Sequence, residues 1–176
     1  MADAPLILTL RLDPGAFTRL DRLRRVHFPA ERNFLGAHLT LFHALPGAME
    51  EEIVANLTTL AAGTPPLPLT FDGLRGLGRG VAFTVDSPPL VRLRGLLASA
   101  WHRVLDAQDR QGYRPHVTVQ NKVEPAIARA LQAELQEDFT PWQGTGEGLL
   151  LWRYAGGPWK PIGEFTFTGS GKAAGT

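Results

Sequence analysis

Two short strings in the chain carry the residue types that acid–base chemistry needs: His38-Leu39-Thr40-Leu41 and His116-Val117-Thr118-Val119, one in each half of the 176 residues. Each lies in an apolar run that reads as a β-strand. Residues i and i+2 of a strand share a face. His38 and Thr40 therefore face one way and Leu39 and Leu41 the other, and His116 and Thr118 are related in the same manner. Polar side chains on one face of an apolar strand need partners or solvent. The two strands are thus expected to line one cleft with two imidazoles and two hydroxyls. An imidazole has an ordinary pKa of about 6.5, so near neutral pH one ring can take a proton from an attacking water or hydroxyl while the other gives one to a leaving oxygen. Threonine hydroxyls can donate to non-bridging phosphate oxygens. The chemistry this set suits is phosphodiester cleavage, with no metal and no covalent intermediate required. One His-x-Thr alone would mean no more than a hydrogen-bonded or half-exposed histidine; the repetition gives the pair its weight.

The elements that must position these strands are legible around them. Leu6 to Leu12 reads as a strand rich in Leu, Ile and Thr. Asp13-Pro14 then opens a helix to about His27, with Asp13 as N-cap and Pro14 at the first helical position. A strand over Ala37–Phe42 is followed by a helix over Met49–Ala62, whose Ile53, Leu57 and Leu60 lie at helical spacing. Past the stiff Pro65-Pro66-Leu67-Pro68 connector, Leu69–Leu74 and Val81–Val85 form a hairpin. A long helix begins at Pro88, and Leu90, Leu93, Leu97, Trp101 and Val104 give it an apolar face. His116–Gln120 is a strand, Glu124-Pro125 starts another helix, and Leu149–Tyr154 and Ile162–Thr168 are the last strands. A His-x-Thr strand followed by an amphipathic helix occurs once in each half, which predicts an α+β fold of two similar lobes. Residues 1–168 are expected to form one domain, and 169–176, small and polar, a loose tail.

Composition narrows the function classes. The chain has no cysteine, which excludes disulfides, thiolate metal sites and a cysteine nucleophile and fits a cytoplasmic setting. Eighteen basic and seventeen acidic residues leave a formal charge of +1, too balanced to coat long nucleic acid by charge alone. A small phosphate-bearing substrate or a strand end stays compatible. The N-terminus lacks the pattern of a signal peptide, and no apolar stretch approaches the ~20 residues a membrane helix needs.

Other residues carry weaker signals. His43 lies five positions after His38, so strand alternation puts it on the opposite face as a structural or solvated group; His27 ends a helix, and His102 reads as a surface residue. Zinc needs three or four convergent ligands, and neither His38 nor His116 has a carboxylate companion on its strand, so no metal is expected. The glycine-rich Gly73–Gly80 segment leads into a strand, not a helix, and so is no phosphate cradle, although its Arg75 and Arg79 could still reach a substrate. Gly169-Ser170-Gly171-Lys172 is a chance likeness to a P-loop. Phe42, Trp152 and Tyr154 are candidates for stacking on a base, a contact worth about 1–3 kcal/mol. Phe42 shares a face with His38 and Thr40 by alternation. Trp152 reads equally well as core, and Tyr154, beside a Gly-Gly turn, is the better candidate of those two.

Ala37-His38-Leu39-Thr40-Leu41 and Arg114-Pro115-His116-Val117-Thr118-Val119 together resemble the signature of the two-histidine (2H) phosphoesterase superfamily, which includes the bacterial 2′-5′ RNA ligase and RNA 2′,3′-cyclic phosphodiesterase proteins. The order of elements agrees up to about Thr168. The resemblance implies a bilobal α+β fold with antiparallel sheets around a central cleft. It makes His38 the proton donor, His116 the acceptor, and Thr40 and Thr118 the phosphate ligands. The implied activity opens 2′,3′-cyclic phosphates of RNA ends or nucleotides to 2′-phosphomonoesters; some relatives join or cleave 2′-5′ linkages without ATP. No cofactor, no metal and a monomeric state are implied. Some bacterial members place a basic residue five positions after the second histidine. Asn121 stands there in this chain, so Lys122, Arg114 or neither supplies that cation. The alternative is a module that binds phosphorylated RNA ends in the same cleft with little or no turnover.

Overall fold

The computed structural model describes residues 3–171. Its elements are β1 (Leu6–Leu12), α1 (Pro14–His27), β2 (Leu39–Leu45), α2 (Glu50–Gly63), β3 (Leu67–Gly76), β4 (Val81–Asp86), α3 (Pro88–Ala100), β5 (His116–Gln120), α4 (Pro125–Glu137), β6 (Trp142–Arg153) and β7 (Lys160–Thr166). This is the α+β class the sequence predicts. All strand pairs are antiparallel, and the sheet order is β1-β2-β5-β4-β3-β6-β7, with β1 also paired to β6.

The long strand β6 organises this pairing. Its first residues, Trp142 to Gly146, pair with β3, and its later residues, Gly146 to Arg153, pair with β1. The sheet therefore has two four-stranded halves that share β6: β7-β6-β1-β2 and β6-β3-β4-β5. The first half of β6 reads poorly from sequence because Gly144, Gly146 and Gly148 interrupt the apolar pattern. Close approach explains two of them. A Cβ on Gly146 would stand 2.9 Å from the Leu10 side chain, and one on Gly148 would stand 2.6 Å from the Phe165 carbonyl oxygen. These distances are too short for any side chain.

The cap of the first helix follows the sequence. Asp13 accepts the Ala16 N–H through Oδ1 and the Thr145 N–H through Oδ2, so the residue that starts α1 also fastens it to β6. Ser87 accepts the Leu90 N–H at the start of α3. The core between sheet and helices holds Leu6, Leu8, Leu10, Leu39, Leu41, Phe42, Phe71, Val117, Val119 and Trp101, all essentially buried.

The two histidine strands, β2 and β5, meet through one pairing, Leu39 with Val117. Two buried arginines brace them from behind. Arg24 of α1 is 4% exposed and donates to the Thr118 carbonyl of β5, to the Leu35 carbonyl and to Asn33. Arg94 of α3 is 7% exposed and donates to the Leu41 carbonyl of β2 and to the Asp109 carbonyl. Each arginine thus comes from the helix leading into one histidine strand and holds the other. Burial lowers both guanidinium pKa values, with Asp21 opposing the effect at Arg24 and Asp109 and Tyr113 at Arg94.

The Gly169 N–H donates to the Thr64 carbonyl, and the Thr168 N–H to that of Ala61. The rest of the expected tail, from residue 172 on, lies outside the described residues, as does Lys172 of the P-loop-like string. Replacing either brace with a residue of similar length leaves buried carbonyls unpaired. Arg24→Met and Arg94→Met are each expected to lower the unfolding free energy by about 2–4 kcal/mol in urea, whereas Arg92→Met, on the exposed side of α3, should stay within about 0.5 kcal/mol.

Candidate active site

The sequence placed four groups in one cleft, and the structure brings those four together. A cavity of about 170 Å³ is lined by His38, Thr40, His116 and Thr118, with Ile7, His43 and Trp159 completing the wall. The imidazoles are held in the same way. His38 Nδ1 lies 2.8 Å from the Gly36 carbonyl oxygen, and His116 Nδ1 lies 2.9 Å from that of Arg114. A carbonyl oxygen only accepts, so Nδ1 carries the proton in each ring. The opposite nitrogen, Nε2, is left to exchange protons in the cleft. In both cases the acceptor is the carbonyl two residues upstream, set by the chain just before the strand. Asp21 of α1 fixes that approach on the first strand by accepting the Ala37 N–H at 2.9 Å.

His38 is half-buried, with Trp159 packed on it at 4.9 Å between ring centroids. Its pKa is pushed down to about 4. Burial is the main cause, the Gly36 hydrogen bond opposes it, and positive charge on Arg24, His116 and His43 adds to it. The ring is therefore neutral at pH 7 in the free protein.

His43 is the residue that strand alternation misplaces. Thr9 of β1 pairs with Thr40, but Leu8 pairs with Phe42, so β2 carries an extra residue at Leu41. This is a β-bulge, and it reverses the parity of the residues beyond it. Leu41 and Phe42 both turn into the core, and His43 emerges on the cleft side. Two expectations are corrected by this one irregularity. Phe42 is fully buried, edge-on to Trp101 and beneath the Arg94 guanidinium, and offers no face to a base. His43 lines the central cavity together with His38 and Thr40. The same irregularity recurs in β5, where Ala82 pairs with Thr118 and Val81 with Gln120, so that Val119 and Gln120 are both buried.

Asp109, in the turns after α3, caps the bulged segment. Its carboxylate accepts the N–H groups of His43 and Ala44 and lies 3.1 Å from His43 Nδ1. The carboxylate is 1% exposed. Burial alone would raise its pKa, but the bonds from the His43 ring and from the two backbone N–H groups outweigh that and hold it below the ordinary carboxylate range. His43 Nε2 is thereby turned away from Asp109.

Two further cavities adjoin the central one. A largely apolar cavity of about 480 Å³ shares His38 and Trp159 with it and adds Phe17, Leu35, Leu150 and Trp152. A cavity of about 510 Å³ on the other side shares Thr40, His43 and His116 and adds Arg75, Arg114, Gln108, Gln111 and Tyr113. Arg114 thus stands beside the central cavity, not in its wall. Lys122, in a left-handed turn (φ 63°), lines neither the central cavity nor its two neighbours. Tyr154 is likewise absent from all three, while Trp152, anchored by its Nε1–H to Thr9 Oγ1, lines the apolar one. Arg79 is drawn away by the Val123 carbonyl and Glu124. Sequence reasoning missed Trp159, although the Gly156-Gly157-Pro158 turn that returns it over His38 was visible. Of the two aromatics flanking that turn, the one after it reaches the cleft.

Among the described residues no three His, Asp or Glu side chains converge where a metal ion could be held, and no helix is long and apolar enough to cross a membrane.

Comparison with known proteins places these features in a family context. Residues 12–158 match the model of the 2′-5′ RNA ligase superfamily. The fold is similar to TT0787 of Thermus thermophilus (TM-score 0.65, 18% identity, 94% of this chain and 98% of that one). It is also similar to E. coli LigT in its apo form (TM-score 0.63, 21% identity, 96% and 99%) and in complex with 3′-AMP (TM-score 0.61, 20% identity, 94% and 99%). No curated protein matches by sequence.

An anion in the central cavity would offset the cost of charging His38. In ¹⁵N-resolved NMR titrations the His38 ring should stay neutral down to about pH 4–5 without ligand, and saturating phosphate should raise its pKa by about one unit or more. The folded-state pKa is below the ordinary value, so His38 favours the fold most above about pH 6.5. That contribution should be lost as pH falls toward 4, and His38→Gln should flatten this part of the stability profile.

Proposed function

The chain belongs to the 2′-5′ RNA ligase superfamily of 2H phosphoesterases, and from that membership we propose that its cleft opens 2′,3′-cyclic phosphates of RNA ends or nucleotides to 2′-phosphomonoesters. The observation that carries the reading is the meeting of two imidazoles, each with Nε2 free, and two threonine hydroxyls around one cavity. In the proposed reaction the cyclic phosphate lies between the two rings. Thr40 and Thr118 donate to its non-bridging oxygens. His116 Nε2 takes a proton from water as the water oxygen bonds to phosphorus. His38 Nε2–H protonates the 3′-oxygen as its bond to phosphorus breaks. The products are a 3′-hydroxyl and a 2′-phosphomonoester, and the two histidines have exchanged roles as acid and base. Joining a 2′-5′ linkage is the same ring opening with a 5′-hydroxyl in place of water; the reverse, cleavage of that linkage by the neighbouring 3′-hydroxyl, starts from the opposite protonation states.

His38 is neutral in the free protein. A proton donor there must be charged after, or together with, binding of the anion, whose negative charge favours the imidazolium. The rate should therefore depend on the ionisation of the complex and not only on that of the free protein. The apolar cavity with Trp152 and Trp159 beside His38 supports a nucleobase on that flank, and E. coli LigT, similar in fold, has been crystallised with 3′-AMP. In this reading the protein works as a cytoplasmic monomer, without metal or cofactor.

The test is turnover of 2′,3′-cyclic nucleotides and of short RNAs ending in a cyclic phosphate, with EDTA present. His38→Ala and His116→Ala should each reduce kcat by about 10²–10⁴-fold, and EDTA should leave the wild-type rate unchanged. Tight binding with no product would mark the binding-module alternative. Loss of activity in EDTA would overturn the metal-free scheme, and activity unaffected by either histidine change would place the chemistry elsewhere.

A further inference from the structure

The cavity on the far side of His43 from the apolar flank extends beyond the groups that open the cyclic phosphate, and the rest of its lining has a distinct chemistry. Arg75, from β3, and Arg114, just before β5, both line it, and neither has an ion-pair or hydrogen-bond partner for its guanidinium among the described residues. Unpaired arginines sharing a concavity repel each other unless an anion joins them. Among the described residues the only carboxylate in the lining is Asp109, which is buried and occupied by the His43 ring and two backbone N–H groups. Arg94, also in the wall, is already engaged by the carbonyls of Leu41 and Asp109. The accessible field of this cavity is therefore positive, in a chain whose net charge is only +1. Gln108 and Gln111 add neutral donors and acceptors at its side.

Connectivity narrows what the anion is. This cavity shares Thr40, His43 and His116 with the central one, so a single ligand can occupy both. His43 stands at the junction. Asp109 holds its Nδ1, which orients Nε2 toward the shared space. A single phosphate can meet only one of the two linings at a time, whereas a molecule that carries two phosphates can meet both.

We propose that this cavity is a second phosphate subsite, in which Arg75 and Arg114 take the internucleotide phosphodiester of an RNA whose terminal phosphate lies between His38 and His116, with His43 at the boundary. The inference rests on the phosphate-cleft reading and extends it. The preferred ligand is an oligonucleotide end, not a mononucleotide. Guanidinium groups suit this task because their planar donors match phosphate oxygens.

The test separates charge from base and binding from turnover. Affinities of the full chain are measured calorimetrically for three probes: a 3′-phosphorylated mononucleotide, a 3′-phosphorylated dinucleotide, and the same dinucleotide with an uncharged methylphosphonate linkage. Wild type is expected to bind the phosphodiester dinucleotide about tenfold tighter than either other probe, as charge-assisted contacts require. In R75Q/R114Q that preference should fall to within about twofold, and the salt dependence of dinucleotide binding should weaken, by at most about 0.7 in log K per log salt because one phosphate is involved. Because both side chains lack structural partners among the described residues, the variant should fold, and an unchanged melting temperature checks this. Equal affinity for the phosphodiester and methylphosphonate probes would overturn the proposal, as would a preference that survives in R75Q/R114Q. Cyclic-ended versions of the same compounds report on catalysis independently. Charge preference without turnover would refute the catalytic reading and leave the subsite standing; turnover without charge preference would do the reverse.

Discussion

The two histidine strands share a single backbone pairing, Leu39 with Val117, and everything else about their relation must be imposed from outside. Arg24 and Arg94 impose it. Each arginine lies almost wholly inside the protein and spends its donors on carbonyls of the strand that the other helix precedes. A buried guanidinium is costly without full hydrogen bonding, so its geometry is strongly determined by its acceptors. The same requirement works in reverse on the strands. The carbonyls of Leu41 and Thr118 alternate in direction with their neighbours, so bonding them from behind settles which way Thr40, His116 and Thr118 face. The two interactions are counterparts under the approximate symmetry of the sheet, whose halves both run outward from the β2–β5 contact.

A second constraint is the bulge that follows each His-x-Thr. In β2 it directs Leu41 and Phe42 into the core and frees the N–H groups of His43 and Ala44 from the ladder. Those donors, inside the fold, need an acceptor, and Asp109 supplies one carboxylate for both. The arrangement also brings a third imidazole to the edge of the central cavity. A packing irregularity, a buried charge and an added polar group at the site thus have one origin.

The electrostatic character of the cleft follows from the same enclosure. Burial beside Trp159, with Arg24 behind, keeps His38 neutral until an anion enters. The surroundings differ on the two flanks: apolar and aromatic beside His38, cationic beside His116 and His43. An elongated ligand with a base at one end and phosphates at the other has only one way to lie along such a groove.

Much of this was written in local sequence. Alternation in two apolar strands is a short-range property, and it was enough to pair His38 with Thr40 and His116 with Thr118 on one face each. Asp13-Pro14, Pro88 and the helical spacing of leucines placed the helix starts within a residue or two, because caps and amphipathic periods depend on neighbours in the chain; the third helix nevertheless ends at Ala100, short of the Trp101 and Val104 that its apolar spacing included. Local pattern failed where long-range contact sets the backbone. The first half of β6 is a strand because β3 pairs with it, and Leu10 and Phe165 leave room only for glycine beside them. Phe42 and His43 exchanged faces because a bulge is a mismatch between two strands and cannot be seen in one of them. Trp159 reached His38 across a turn, and Arg75 came beside Arg114 through the β3–β4 hairpin. Sequence by itself determined which groups could do the chemistry and which two strands carry them; the tertiary structure decided what surrounds them, since burial, opposing charge and neighbouring cavities exist only once distant segments share a space.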